Sequence, residues 1–356
     1  MKTKSYRNRS VSRWGGLLLL LPLLSACSQS APTAQSTAES IDPPPAPIEQ
    51  AMMQESAEET FASGNDVVTV YLLDRNGYLA PMSMIAEGTA GSLQTPAEKA
   101  LAWMTADRQL AEQLPPGFKA VLPEGTKVIS VTENPSEETI AVDFAAPFPS
   151  IAASQERKVI EALVWTLTER PGINKVKLSI AGKPIRSLPS TGLPVDSVLT
   201  RGLGINLETG KDVQPNRAMG VTLYFSSQSE DGEGYFVPVT RLITRQVDPA
   251  KAALEQLILG PQNTKSLHAV LTSDMTIEKL SQLADTVNVS LKHSEWEPVT
   301  PVPSEMMEAL VLTLTEATGA PQVRVIMNGN DSFVDSDKRS YDRPVTRPTY
   351  VNTLSR

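Results

Sequence analysis

The sequence predicts an α+β fold that consists of two tandem copies of one small module, each a small β-sheet covered by two helices. The prediction comes from an internal repeat, from helices with recognisable caps, and from strands whose apolar residues alternate. Within each copy we expect the order strand, helix, strand, strand, helix, strand. Each copy has about 115 residues, which is enough to form a hydrophobic core of its own.

The repeat is visible at two offsets. Residues 68–71, Val-Thr-Val-Tyr, return as residues 221–224, Val-Thr-Leu-Tyr, after 153 residues. Residues 161–169 return as residues 308–316 after 147 residues, with eight of the nine residues identical. Copy two is therefore six residues shorter between its two helices.

Capping signals place the first helix of each copy. Residues 95–98, Thr-Pro-Ala-Glu, have the spacing of a capping box with proline in the first turn. Copy two has Asp248-Pro249 at the same point, and its helix is expected to end at Gly260-Pro261. Apolar residues at i, i+3, i+4 and i+7 mark the second helices, at Ile160, Leu163, Val164 and Leu167 and at Met307, Leu310, Val311 and Leu314.

Apolar residues at every second position predict the strands. The first strand begins near Val68, and a polar loop is expected to connect it to the first helix. Further strands are expected at residues 127–131 and 140–144, and residues 287–291 are the counterpart in copy two. The alternation predicts one buried and one solvated face. The last strands carry Val176, Leu178 and Ile180 in copy one and Val323, Val325 and Met327 in copy two.

Residues 1–26 have the features of a signal peptide. Five basic residues precede the apolar run from Trp14 to Leu24, whose 11 residues are too few to span a bilayer. Leu24-Ser25-Ala26-Cys27 matches the bacterial lipobox, so we expect Cys27 to carry a diacylglyceryl group and palmitate-type acyl chains. The alternative is an ordinary signal peptide with a chance cysteine. Because Cys27 is the only cysteine, no disulfide can form within the chain.

Composition divides the remainder of the chain into segments. Residues 27–66 are rich in proline and acidic residues and contain no Lys or Arg, which predicts a disordered tether. Module 1 is expected at residues 67–184 and module 2 at residues 219–333, joined by a linker at residues 185–218. The basic C-terminal tail at residues 334–356 is expected to be a solvated end, with a strap docked on the acidic body as the alternative.

The charge of the chain argues against several partners. The net charge is −8, and removal of the basic signal peptide makes the mature chain more acidic. Nucleic acid and anionic membrane surfaces attract basic proteins, so we expect neither as a partner of the folded part. The lipid on Cys27 is the expected attachment to the membrane.

The sequence contains little that predicts catalysis. His268 and His293 both lie in copy two, and no His-Glu-x-x-His, Gly-x-Ser-x-Gly or P-loop motif occurs. The recurring glutamates of the second helices are eight residues apart, about 80° beyond two full turns, so we expect solvated helix-surface charges. These glutamates are Glu161, Glu169, Glu308 and Glu316.

Two further residues have simple interpretations. Trp165 is replaced by Leu312 in copy two, so packing rather than ligand binding is expected of it. Asp143 alternates with Val142 and Phe144, so we expect it to face solvent or a partner. We therefore expect no enzyme activity, no catalytic residue, no cofactor, no metal and no small-molecule substrate.

An ordered, doubled set of motifs connects the chain to a known family. The chain resembles the GerM family of sporulation and germination lipoproteins of spore-forming Gram-positive bacteria, from the lipobox to the tail. Copy two departs from the pattern, because Ser290 replaces Asp143 and residues 272–279 lack the Pro-Glu-Gly-Thr-Lys sequence. The motifs are Val70-Tyr71-Leu72, residues 122–128, Val142-Asp143-Phe144, the helix at 161–169 and residues 203–208.

The resemblance implies a fold and a function. Each repeat would be a GerMN domain, similar to the ring-building motifs of secretion-type assemblies. The protein would be a non-enzymatic, lipid-anchored scaffold for the channel complex between mother cell and forespore, needed for sporulation and so for normal germination. Its partners would be channel-complex proteins, and it would lie on the extracytoplasmic side of the cell membrane, in the intermembrane space around the forespore. The alternative is a lipoprotein that binds peptidoglycan or assists a cell-wall hydrolase, which paired carboxylates in a deep cleft would favour.

Overall fold

The computed structural model describes residues 67–85, 95–211 and 213–353. The signal peptide at 1–26, the lipidated Cys27 and the disordered tether at 27–66 lie outside these residues, so those expectations stay predictions. No helix in the described part of the chain has the length and apolar character needed to cross a membrane.

Module 1 is an α+β unit with two separate sheets. Strands β1 and β2 form an antiparallel hairpin, and strands β3 to β6 form a four-stranded sheet in sequence order. Within that sheet β4 and β5 are parallel, because helix α3 connects them, and the other pairs are antiparallel. The bounds are β1 Val67–Leu73, β2 Leu79–Ile85, α1 Pro96–Met104, α2 Arg108–Ala111, β3 Val128–Asn134, β4 Thr139–Phe144, α3 Ala153–Leu167, β5 Lys175–Ile180 and β6 Lys183–Pro184.

Module 2 repeats this arrangement. A longer hairpin, β8 and β9, is extended by the two-residue strand β7, and strands β10 to β13 form the second four-stranded sheet. Strands β11 and β12 are parallel across helix α5, as β4 and β5 are across α3. The bounds are β7 Glu208–Thr209, β8 Ala218–Gln228, β9 Gly234–Thr244, α4 Pro249–Leu259, β10 Thr276–Leu283, β11 Thr286–Lys292, α5 Ser304–Thr318, β12 Gln322–Met327 and β13 Val345–Thr346.

Each module contains a strand that the sequence analysis did not predict. Residues 79–85 form strand β2 where a polar loop was expected, and β9 is its counterpart in module 2. The expected order of six elements was therefore wrong at this point. Strand β2 is buried at six of its seven positions, so its sequence shows no alternation, and Pro81 is unusual inside a strand.

The helix predictions are confirmed. The Thr95 side chain accepts a hydrogen bond from the Glu98 amide, Glu98 bonds back to the Thr95 amide, and Asp248 caps α4 through the Lys251 amide. Leu163 and Leu310 are both buried in the core. Helices α3 and α5 are buried on nearly every side, because each packs between the first strand of its hairpin and its four-stranded sheet.

The segments outside the modules are also packed against the body. Residues 199–209, within the expected linker, contribute the buried Ile205 and the strand β7 that pairs with β9. In the tail, β13 pairs with β12, and Val351 is buried. The expected solvated end was wrong, and the alternative of a docked strap describes the tail. The described residues form one compact unit. Its main hydrophobic core extends through both modules, and a smaller second cluster contains Tyr224, Phe236, Ala309, Leu312 and Val351.

Candidate functional site: the junction between the two modules

Two equivalent segments hold the modules together, and we call them arm 1, residues 199–206, and arm 2, residues 345–352. Both contain Thr-Arg followed after three residues by an aliphatic residue and Asn, at an offset of 146 residues. Each arm begins beside the last long strand of its own module: Leu199 pairs with Val176 of β5, and Val345 pairs with Val323 of β12. Each arm therefore leaves its module at the same place.

Asn206 of arm 1 bonds to both hairpins. Its side-chain oxygen accepts a hydrogen bond from the Leu79 amide at 2.9 Å, and its Nδ2 donates to the Leu79 carbonyl at 2.8 Å. The same Nδ2 donates to the carbonyl of Pro238 at 2.8 Å. Leu79 belongs to β2 and Pro238 to β9, so one amide group links module 1 to module 2.

Asn352 of arm 2 makes the reciprocal set. Its side-chain oxygen accepts from the Phe236 amide at 2.7 Å, and its Nδ2 donates to the carbonyls of Phe236 and Pro81 at 2.8 and 2.7 Å. Residues 77–81 and 234–238, Gly-Tyr-x-x-Pro in both, show that Phe236 is equivalent to Leu79 and Pro238 to Pro81. The two asparagines thus make the same contacts with the modules exchanged.

The backbone at both asparagines is left-handed. The φ angles are +46° at Asn206 and +58° at Asn352. Asparagine tolerates this conformation better than other residues with a side chain, apart from aspartate. Asn therefore suits this position by its conformation as well as by its hydrogen bonds.

The residues beside the asparagines cross to the opposite module. The amide of Thr240 in β9 donates to the Ile205 carbonyl at 2.8 Å, and the Thr240 Oγ1 accepts from the Ile205 amide at 2.9 Å. Its equivalent in β2 is Ser83, whose hydroxyl donates to the Val351 carbonyl at 2.9 Å and whose amide donates to the Asn352 carbonyl at 3.3 Å. Each arm is thereby attached to the hairpin of the other module.

The arginine of arm 1 joins two glutamates from different modules. Arg201 is 2.7 Å from Glu169, which follows α3, and 2.8 Å from Glu316 in α5. Its guanidinium also lies over the ring of Trp165, 4.5 Å from the centroid. Burial opposes the charge of Glu169, but Arg201 and then Arg347 outweigh it and hold the pKa of that carboxyl below its usual range.

The arginine of arm 2 completes this ionic cluster. Arg347 donates to the Tyr224 hydroxyl at 2.8 Å and to the Leu312 carbonyl at 3.0 Å, and it lies 3.6 Å from Glu316. Burial raises the pKa of Tyr224 to about 12, so this hydroxyl stays protonated at neutral pH. Tyr71, the equivalent of Tyr224, donates its hydroxyl to Glu169 at 2.8 Å. Two arginines and two glutamates balance each other in a largely buried setting.

A second pair of tyrosines closes the junction at its ends. The Tyr235 hydroxyl of module 2 donates to the buried Asp74 of module 1 at 2.8 Å, and its ring packs edge-on against Phe118 at 5.0 Å. The equivalent Tyr78 of module 1 accepts a hydrogen bond from Asn263 of module 2 at 3.0 Å. Each of the two equivalent tyrosines thus bonds to a residue of the other module.

The expectation of solvated helix glutamates was wrong for three of the four. Glu161 is 2% exposed and accepts hydrogen bonds from Arg157 and from the Asn206 amide; burial raises the pKa of its carboxyl. Glu169 and Glu316 belong to the ionic cluster, and Glu308 is half-buried. On an isolated helix, side chains 80° apart could both face solvent. Around these glutamates, however, α3 and α5 are covered on nearly all sides.

Of the other singled-out residues, Trp165 lies at the junction beneath Arg201, and Asp143 and His293 make their contacts elsewhere. Trp165 is fully buried and packs as expected. Asp143 is half-buried and accepts hydrogen bonds from Ser179 and from the amide of Gly182. His268 is exposed, and His293 lies 3.3 Å from Asp274 on a different loop. Within residues 67–85, 95–211 and 213–353 no group of three potential metal ligands was found.

Comparison with known proteins identifies the family. Residues 69–186 and 222–332 match the family model described as Germane: Sporulation and spore germination. The spore germination protein GerM of Bacillus subtilis is 31% identical over 307 residues, covering 85% of this chain and 82% of that protein. The solved structure of the tandem GerMN domains of the same protein matches with a TM-score of 0.74 at 31% identity, covering 81% of this chain and 99% of the other.

A structure of the first GerMN domain of that protein, 32% identical, covers 38% of this chain with a TM-score of 0.34. The family match covers more than half of the chain, and the match to the tandem domains extends over both modules. The chain therefore belongs to the Germane family of sporulation and spore germination proteins and consists of two tandem GerMN domains.

Proposed function

We propose that this chain is a non-enzymatic scaffold of sporulation, which helps to assemble the channel complex between mother cell and forespore and is thereby needed for normal germination. Membership of the Germane family supports a role in sporulation. The observation that carries the scaffold role is the junction, where titratable side chains retained in both copies are used to join the modules. Of these side chains, Glu316 pairs with Arg201 across the modules, and Glu169, Tyr71 and Tyr224 surround that pair with bonds inside their own modules.

The junction holds the two modules rigidly together, as a scaffold requires. Hydrogen bonds, ion pairs and a continuous hydrophobic core connect the modules, so both present their outer surfaces in one fixed arrangement. When two binding modules are fixed together, the binding of one raises the effective concentration of the other, so two weak contacts together give a higher affinity. An enzyme would instead need one preorganised pocket, which duplication of a module does not supply.

Anchoring by lipid is part of the same proposal. The lipobox ending in Cys27 supports a diacylglyceryl anchor on the extracytoplasmic side, and residues 27–66 would let the folded part reach away from the membrane. Two acyl chains suffice for stable attachment. Partners would then be channel-complex proteins in the space between the two membranes around the forespore.

Capture from sporulating cells tests the proposal. A tagged chain would replace the native gene in its spore-forming host, and proteins retained with it would be identified after mild crosslinking. Enrichment of channel-complex proteins with the wild-type chain, and its loss with Cys27→Ala, is the expected result. Capture of cell-wall hydrolases or binding to purified peptidoglycan, without channel-complex proteins, would contradict the proposal and favour the cell-wall alternative.

A further inference from the structure

The contacts at the junction have the pattern of a two-fold interface between separate subunits. In such an interface one patch serves both partners, and if residue i contacts residue j then j contacts i. Asn206 contacts β9 from arm 1, and Asn352 contacts β2 from arm 2, through equivalent carbonyls at Pro238 and Pro81. The equivalent residues Thr240 and Ser83 each bond to the aliphatic residue of the opposite arm, although the Thr240 hydroxyl accepts from the Ile205 amide and the Ser83 hydroxyl donates to the Val351 carbonyl.

We propose that the junction is a self-sufficient binding surface whose natural fit is a second arm-bearing GerMN module, so that this chain is a covalently joined dimer of two such modules. The partner that fits each half has a hairpin with Pro in its second strand, and an arm with Thr-Arg, three residues, an aliphatic residue and a left-handed Asn. Each half of this chain supplies that set for the other.

The proline positions explain why the arms are needed. Strands β2 and β9 face each other across the junction but are not paired in a common sheet, and Pro81 and Pro238 lack the amide hydrogen that such pairing would use. The asparagine side chains supply hydrogen bonds in place of strand pairing. Each bonds to the backbone of one residue in the hairpin of its own module and to the proline carbonyl in the hairpin of the other module. The interface is thus built from arm to hairpin rather than from strand to strand.

The covalent connection between the modules adds little to this surface. After arm 1, Glu208 pairs with the buried Arg241 and β7 pairs with β9, so the chain is still attached to module 2 up to Gly210. Lys211 and the residues from Gln214 to Arg217 are then exposed until β8 begins. A break after Lys211 would therefore leave both arms and both hairpins complete.

Cleavage of the full mature chain tests the inference. A protease recognition sequence would be inserted after Lys211 in the chain from Ser28 to Arg356, and the purified protein would be cut to completion. At about 10 µM, above the dissociation constants of even weak interfaces of standard size, the two halves are expected to remain one particle by light scattering. Separation of the wild-type halves under these conditions would overturn the inference.

Variants of the arms show whether the cut halves associate through the arm contacts or nonspecifically. Asn206→Ala and Asn352→Ala, singly and together, are expected to weaken the association of the cut halves, the double variant by at least about 100-fold. Asn174→Ala is the matched control, because Asn174 is exposed within module 1 and bonds to Glu138 of the same module. Equal association of the control and the arm variants would also overturn the inference. The measurement needs no sporulating cell, so its outcome is independent of the proposed function.

Discussion

Replacement of Asn352 in the tail is expected to destabilise the fold strongly. The residue is 9% exposed, and its side chain makes three hydrogen bonds to backbone groups of Phe236 and Pro81, between 2.7 and 2.8 Å. A net contribution of about 1 kcal/mol for each bond gives about 3 kcal/mol, and buried groups left without partners raise the loss to roughly 3–5 kcal/mol.

Two substitutions separate the hydrogen bonds from the backbone conformation. Asn352→Ala removes the bonds and places alanine at a φ of +58°, which adds about 1–2 kcal/mol of strain. Asn352→Gly also removes the bonds and relieves that strain, but the unfolded chain gains about 0.5–1 kcal/mol of entropy. Both corrections lower the stability by similar amounts, so both variants should lose similar stability, and the lost amide accounts for most of it.

Urea unfolding followed by circular dichroism and tryptophan fluorescence measures the effect. Asn174→Ala is the control, because an exposed surface change is expected to stay within about 0.5 kcal/mol of the wild type. If Asn352→Gly loses less than about 1 kcal/mol, the assignment of arm 2 as a structural clamp is refuted. A large loss in Asn352→Ala alone would mean that the φ angle, not the amide, decides the stability.

The remaining predictions concern the core, the ionic cluster and the anchor. Leu163→Ala and Leu310→Ala should each destabilise the fold by roughly 2–5 kcal/mol in urea, as expected for fully buried leucines. Because the pKa of Glu169 is lowered, its contribution is present above about pH 4.5 and is lost as pH falls through the folded pKa; Glu169→Gln should show a smaller acid-dependent loss of unfolding free energy. Cys27→Ala should abolish labelling by a fatty-acid probe and release the chain from membranes.

Local signals in the sequence were sufficient for the helices and most strands. The capping residues at 95–98 and Asp248 satisfy helix amides directly, so their spacing determines where the helices begin. Alternation located β4, β5, β11 and β12 because each has one buried face. These features depend on residues close together in the chain, which is why pattern analysis could find them.

Strands β2 and β9 were missed because tertiary structure overrides their local pattern. Both are buried over most of their length, so alternation is absent, and the prolines at 81 and 238 argue against a central strand. The doubled Gly-Tyr-x-x-Pro at residues 77–81 and 234–238 was the available signal. It shows a common element in both copies, although it does not by itself indicate a strand.

The junction was missed for a different reason. The arms at 199–206 and 345–352 lie in segments interpreted as linker and tail, and their repeat is short and outside the regular elements. Their function depends on contacts between residues more than 100 positions apart, such as Asn352 with Phe236 and Arg201 with Glu316. The Thr-Arg and aliphatic-Asn pairs at an offset of 146 could have located the arms, but not their partners.

Complementation of a deletion strain tests most directly the proposal that the chain serves sporulation as one rigid, lipid-anchored scaffold. Spore yield and germination would be measured for the wild-type chain, Cys27→Ala, the double variant Asn206→Ala/Asn352→Ala, and His268→Ala/His293→Ala as a control for residues outside the junction. The wild type and the histidine variant are expected to restore both, while the anchor variant fails at a normal protein level and the junction variant fails because its modules no longer hold together. Full restoration by the junction variant, or failure of a folded and membrane-bound histidine variant, would contradict the account.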